Sequence, residues 1–337
     1  MQVSVEVQAW RGSIAESRHR LEFAAIDAEG RLHAGSGDAR RVTSFRSSAK
    51  PFQLLALVER GHAERFGFSD EELAVMAASH TGSPYHLRLV TGILERIGLP
   101  ETLLACGFHE PLDPESLADV RAHPEKRGPL YNNCSGKHAG MLALAVAESW
   151  PTEGYERQEH PIQQLARRAV ADLCGIASDD LHTGTDDCGV VTFGLPLTAM
   201  ARGYARLAAA MDGGDARERA LHRIRTAMTT YPTATGGAAR FSTQLMEATR
   251  GRLVAKGGAE GLECLGIMGS GLGLALKSLD GASRALPPAT VALLEHLGEI
   301  HETERDRLAS SRRPVIRNLV GREVGHLEAV VRSLTPA

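Results

Sequence analysis

Strand-like alternation at both ends of the chain encloses a long helical middle, and this arrangement limits the folds available. Near the N-terminus, "VSVEVQAW", "RLEFAAIDAEG" and "RLHAGSG" alternate apolar and polar residues and break at turn formers. Toward the C-terminus the pattern returns in "RLVAKGG", "LECLGIMG" and "GLALKSLDG", then in "PVIRNL" and "REVGHLEAVV". Roughly residues 51–250 carry helical periodicity instead. A sheet closed from the two termini is mostly antiparallel, so the chain is expected to be α+β, with a helical region beside that sheet. One domain over residues 1–337 is the expected organisation, with "AAAMDGGD" its most linker-like piece.

Local signals place the helices. Ser69 and Glu72 have capping-box spacing before "ELAVMAAS". Ser83 and Pro84 form an N-cap and first-turn pair opening "YHLRLVTGILERIG", which Gly98 closes. Ser135 is expected to cap "GKHAGMLALAVAES", and further helices are expected at 161–173, 197–211, 215–229, 240–249 and about 288–300.

Composition removes several function classes. A net charge of −3 leaves no basic stripe for phosphates, and 4% aromatic residues leave no stacking platform, so nucleic acid is not an expected partner. No apolar run approaches the roughly 20 residues that span a bilayer, and the N-terminus shows no basic-then-apolar leader. The five cysteines, Cys106, Cys134, Cys174, Cys188 and Cys264, are too scattered for a disulfide scaffold. A cytoplasmic protein without a membrane partner is expected.

Two segments concentrate chemistry. In "SFRSSAKPFQ" a helix starting near Ser48 places Pro51 in its first turn and puts Ser47 and Lys50 three apart on one face. A serine hydroxyl needs a neighbouring base to become nucleophilic. Lysine can serve only if its pKa falls from about 10.4 toward about 7, a cost of about 4 kcal/mol against the charged form. Desolvation and a second cation both push that way. S-x-x-K alone also fits a capping serine beside a solvated lysine. "VAKGGAEG", with Lys256 and Gly258, resembles the K-T-G element of serine penicillin-recognising enzymes, and Ser79 in "AASHTG" falls in the order of that fold's middle serine. The second segment, "YNNCSGKHAG", sets Cys134, Lys137 and His138 at a helix start, and "HTGTDDCGV" adds Asp186, Asp187 and Cys188. Two cysteines with a nitrogen donor suit zinc, and residue chemistry alone favours Cys134, Cys188 and His138 as ligands. Buried, unreactive cysteines beside a helix cap are the other reading.

Taken together, "FRSSAKPFQ", "ASHTGSPYH", "YNNCSGKHAGML", "TGTDDCGV", "PLT" and "VAKGGAEG" resemble the rhizobial-type, class 3 L-asparaginases over nearly the whole chain. The resemblance implies a serine β-lactamase/penicillin-binding-like fold, a homodimer, and hydrolysis of L-asparagine to L-aspartate and ammonia. It implies Ser47 as nucleophile with Lys50 as base, Ser79 and Lys256 as a second Ser–Lys pair, and one zinc held by Cys134, Lys137 and Cys188. Arg46, His138, Asp186 and Gly258 would line the substrate site. The rivals are a glutaminase or another β-lactamase-like serine amidase or esterase, and a zinc-dependent amino-acid sensor without turnover.

Overall fold

The structure, a computed structural model, describes residues 1–334. Its strands in chain order are β1 (Val3–Arg11), β2 (Ile14–Ile26), β3 (Leu32–Ser36), β4 (Val42–Ser44), β5 (His182–Thr185), β6 (Val191–Pro196), β7 (Leu253–Gly258), β8 (Leu262–Ile267), β9 (Gly273–Ser278), β10 (Val315–Arg317) and β11 (Glu323–Ser333). The chain forms two compact units. One comprises Met1–Ser48, Leu195–Ala209 and the residues from Gln244 onward; the other comprises Ala49–Gly194 and Ala210–Thr243.

The first unit is built on one sheet in the order β10-β11-β1-β2-β9-β8-β7, with β3 also paired to β2. These pairings are antiparallel, and the two termini do meet: Val3 faces Ser333 across β1 and β11, and Phe23 faces Leu276 across β2 and β9. Alternation along β1 buries Val3, Val5, Val7 and Ala9, as a sheet with one packed face requires. β8 is buried along its whole length, because it lies between β9 and β7 under the helix Leu197–Ala209. A second helix, Leu286–His296, packs on β11 and β1.

The second unit is helical. Its main helices are Asp70–Met76, Pro84–Ile97, Ser135–Glu148, Pro161–Cys174 and Ala216–Thr230. Ser135–Glu148 is the central one: every residue from Ser135 to Ala145 is buried, and Asp70–Met76 and Pro84–Ile97 both pack against it. A helix buried on all sides cannot discard its polar groups into water, so Lys137 and His138 on it need partners inside the protein. The predicted capping box forms, with the Glu72 N–H donating to Ser69 Oγ at 3.2 Å and the Ser69 N–H to Glu72 Oε2 at 2.8 Å.

Most helix boundaries fall within two residues of the sequence expectation. Ser135 is a correction: Cys134 occupies the N-cap position, and the Ser135 hydroxyl donates to the Leu130 carbonyl instead. β5 and the start of β6, which pair antiparallel with Thr185 opposite Val191 around the "DDCGV" turn, were not expected. Mixed helix and antiparallel sheet makes the chain α+β. No helix among the described residues is long and apolar enough to cross a membrane.

The sheet unit depends on a close approach of backbones. A Cβ on Gly273 of β9 would lie 1.9 Å from Ala201 O and 2.4 Å from Ala205 N, both in the helix above it. Gly273→Ala is therefore expected to destabilise the protein by about 1–3 kcal/mol through overpacking. Urea unfolding checks this: the midpoint should drop, and an unchanged midpoint contradicts the close packing.

Candidate active site

The two adjacent serines of "RSSAK" have different surroundings. A 3-10 turn spans Arg46–Ala49 after β4. Ser48 is buried, and its hydroxyl donates to the Lys256 carbonyl at 2.8 Å. Its own carbonyl accepts from Tyr204 Oη at 2.8 Å, and the Tyr204 ring stands edge-on to Phe45. Ser47 is half-buried. Within its own unit its hydroxyl has no hydrogen-bond partner among the described residues. Arg46, immediately before it, has φ +45°. A non-glycine residue in that left-handed region carries strain of order 1–3 kcal/mol and persists only where its surroundings over-determine it. The anchoring of Ser48 and Phe45 supplies that constraint. Ser48 thus holds the turn in place and leaves Ser47 chemically available.

The end of β7 lies against the same turn. A Cβ on Gly258 would come within 3.1 Å of Ser48 Oγ and 3.3 Å of the Phe45 carbonyl. Lys256 is buried, with Nζ donating to the Gly257 carbonyl at 2.8 Å. The sheet unit therefore brings Arg46, Ser47, Lys256 and Gly258 into one neighbourhood.

In the helical unit, Lys50 opens the helix Lys50–Gln53 with Pro51 in its first turn, as expected. The side chain is buried. Nζ donates to Ser79 Oγ at 2.9 Å, to Cys134 Sγ at 3.3 Å and to the Ala78 carbonyl. Burial lowers its pKa; Cys134 opposes the shift and the Lys137 charge adds to it. Ser79 lies just past the helix Asp70–Met76, held by its N–H to the Thr235 carbonyl at 3.2 Å. The next residue, His80, donates its N–H to the Asn133 carbonyl at 3.1 Å, and its Nε2 meets Ser135 Oγ at 2.9 Å. Neither His80 nor Asn133 was singled out from the sequence.

Lys137 Nζ lies 3.0 Å from Cys188 Sγ. The hydrogen bond from Cys188 holds the Cys134 thiol well below its usual range, with both lysine charges assisting. That bond and burial push Cys188 up. Burial opposes the protonated form of Lys137, but the charges of Cys134 and Cys188 outweigh it and raise its pKa. Asp186, half-buried at the mouth of the "DDCGV" turn, adds negative charge near Lys137. Gly136 allows this packing, since a Cβ there would meet Val75 O at 2.2 Å.

This donor set fits a zinc ion by its chemistry: two thiols, one already disposed to ionise, and one amine. The alternative set of Cys134, Cys188 and His138 is not grouped in the same way. Among the described residues no three His, Cys, Asp or Glu side chains group for a metal, and His138 Nδ1 is engaged at 2.6 Å by Tyr155 Oη. His138 is buried and its Nε2 has no partner among the described residues. Burial first, then the charges of Lys137 and Lys50, hold its pKa well below the usual imidazole range. Sequence reading missed Tyr155 because nothing in the spacing of residues 138 and 155 marks them as neighbours.

Two solved structures of a protein named Mglu are similar at TM-score 0.45. One has 15% identity over 83% of this chain and 67% of that one; the other has 16% identity over 84% and 62%. A β-lactamase from Mycobacterium bovis is similar at TM-score 0.41, with 16% identity over 82% of this chain and 94% of that one. Likenesses this distant carry no argument about chemistry. No curated protein is significantly similar in sequence. The family model described as L-asparaginase II, however, matches residues 7–329, a span that includes the strained turn, the buried lysines Lys50, Lys137 and Lys256, and the thiol–amine cluster. The chain belongs to the L-asparaginase II family.

Proposed function

We propose that the protein hydrolyses L-asparagine to L-aspartate and ammonia through an acyl-enzyme on Ser47, on a serine β-lactamase-like fold. In a chain of this family, the observation that carries the reading is the buried Lys50 amine, hydrogen-bonded to Ser79 and pushed toward its neutral form. A neutral amine three positions along the chain from a serine is the base that an otherwise weak nucleophile needs.

Ser47 Oγ bonds to the side-chain amide carbon while its proton passes to Lys50 Nζ. The carbonyl electron pair moves onto oxygen, and the backbone N–H groups of Ser47 and of the Gly258–Ala259 stretch receive that charge. The Gly258 contact with the Phe45–Ser48 turn supports this pair, and one such donor is worth about 2.7–4 kcal/mol. The C–N bond then breaks, and the leaving nitrogen takes its proton from Lys50, with Ser79 as relay, and departs as ammonia. Water gives a proton to the same base and attacks the β-aspartyl ester; the bond to Ser47 Oγ breaks, Lys50 returns the proton to that oxygen, and aspartate is released. Lys256 supplies the second amine of the paired Ser–Lys arrangement. Arg46 receives the α-carboxylate, Asp186 the α-ammonium, and His138 a substrate oxygen. Cys134, Lys137 and Cys188 would hold zinc. When bound, the ion supplies fixed Lewis-acid charge that favours thiolates and a neutral Lys137. A cytoplasmic homodimer completes the proposal, following the family resemblance.

Ser47→Ala should lower ammonia release from asparagine by at least about 10³-fold, as loss of a nucleophile does, with circular dichroism unchanged. Ser48→Ala should keep turnover and lose about 1 kcal/mol of stability. The opposite pattern moves the nucleophile to Ser48. Running both variants against asparagine and glutamine separates asparaginase from glutaminase.

Cys188→Ala should reduce bound zinc well below one ion per chain by elemental analysis and raise KM for asparagine. Undiminished zinc in that variant removes Cys188 from the ligand set.

A further inference from the structure

Tyr155 belongs to no motif in the sequence, yet its phenol is tightly fixed. The ring is buried. Its backbone carbonyl accepts from Gln163 Nε2 at 2.9 Å, its Oη accepts from the Ala105 N–H at 2.9 Å, and it stands edge-on to His138 with ring centroids 5.5 Å apart. Hydrogen-bond counting then assigns the protons. The Ala105 N–H is a donor, so it uses an acceptor site of Oη and leaves the phenol hydrogen to be placed. His138 Nδ1, 2.6 Å away, is the acceptor for it. If Nδ1 carried the hydrogen instead, the buried phenol hydrogen would lack a partner, and burying an unmet donor is costly. In a neutral imidazole whose Nδ1 accepts, the hydrogen sits on Nε2. That Nε2–H is buried and has no partner among the described residues. The chain Ala105 N–H, Tyr155 O–H, His138 Nε2–H therefore ends in a donor held ready for an acceptor from outside the protein.

We infer that Tyr155 is a positioning residue: it fixes the His138 tautomer so that Nε2–H donates to a carboxylate or amide oxygen of the bound amino acid. The substrate half of this inference rests on the asparaginase reading; the tautomer half does not.

Long-range proton–nitrogen correlation spectra of the full chain, labelled with ¹⁵N-histidine, provide the test. His138→Gln identifies the signal among the 14 histidines. In ligand-free protein His138 should show an unprotonated Nδ1 and a protonated Nε2, and L-aspartate, the proposed product, should shift the Nε2 signal. Tyr155→Phe should give mixed tautomers and raise KM for asparagine about fivefold, the effect of one hydrogen bond, with kcat less affected. A protonated Nδ1 in the ligand-free protein, or a single Nε2–H tautomer surviving in Tyr155→Phe, overturns the inference. So does L-aspartate that binds by calorimetry without moving the signal. Absence of both aspartate binding and ammonia release counts against the asparaginase reading, while the ligand-free spectrum still decides the role of Tyr155.

Discussion

Burial of the Lys50 amine is the constraint on which the rest of the candidate site depends. A primary amine removed from water loses most of what stabilises its charge, so it either becomes neutral or acquires partners. Lys50 does some of each: the Ala78 carbonyl, the Ser79 hydroxyl and the Cys134 sulfur accept from it, while burial lowers its affinity for a proton. Lys137, buried on the neighbouring helix, shifts the other way because two sulfurs face it. The helical unit thus separates its two interior amines electrostatically. Burial dominates at Lys50, and at Lys137 the two sulfurs together outweigh burial. Pairs of groups whose surroundings push their pKa values apart are what acid–base chemistry near pH 7 requires.

The scaffold holds these groups by close contact and little free volume. The helix Ser135–Glu148 is buried from Ser135 to Ala145, and Gly136 lets it approach the Val75 carbonyl. Cys134, Lys137 and His138 therefore project from a rigid element, and the reach of each side chain is set by backbone packing. In the sheet unit, Ser48 and Tyr204 restrain the turn that carries Arg46 in a strained conformation. Strain kept at one residue beside an available hydroxyl is consistent with a site arranged for chemistry at some expense in stability.

How much of this the sequence revealed follows from the range of each interaction. Strand alternation, the Ser69–Glu72 box and the Pro51 helix start were readable because they are set by residues a few positions apart. The terminal strands were readable as strands, and their pairing followed from the need to close one sheet. Ser135 was misplaced because a serine at a helix mouth looks like a cap, whereas here the Leu130 carbonyl, five residues back, accepts its hydrogen bond. β5 and β6 escaped notice because "HTGTDDCGV" is rich in turn formers, and its strand character comes from pairing across the turn. The division of labour between Ser47 and Ser48 was not readable at all, since it depends on Lys256, 208 positions further on.

The partners of residues found by motif were the least readable part, and they decide what those residues can do. A histidine at position 138 is, by sequence, equally a metal ligand, a base or a core residue. Tyr155 engages Nδ1, and Nε2, buried and without a partner among the described residues, is the nitrogen left open to a ligand. Lys137 is similarly ambiguous until Cys188 is found 3.0 Å from its amine. In each case the motif places a reactive group on the helix, and a residue with no motif of its own fixes which atom is free to react. In this protein, function is therefore specified as much by buried second partners as by the residues that mark the family.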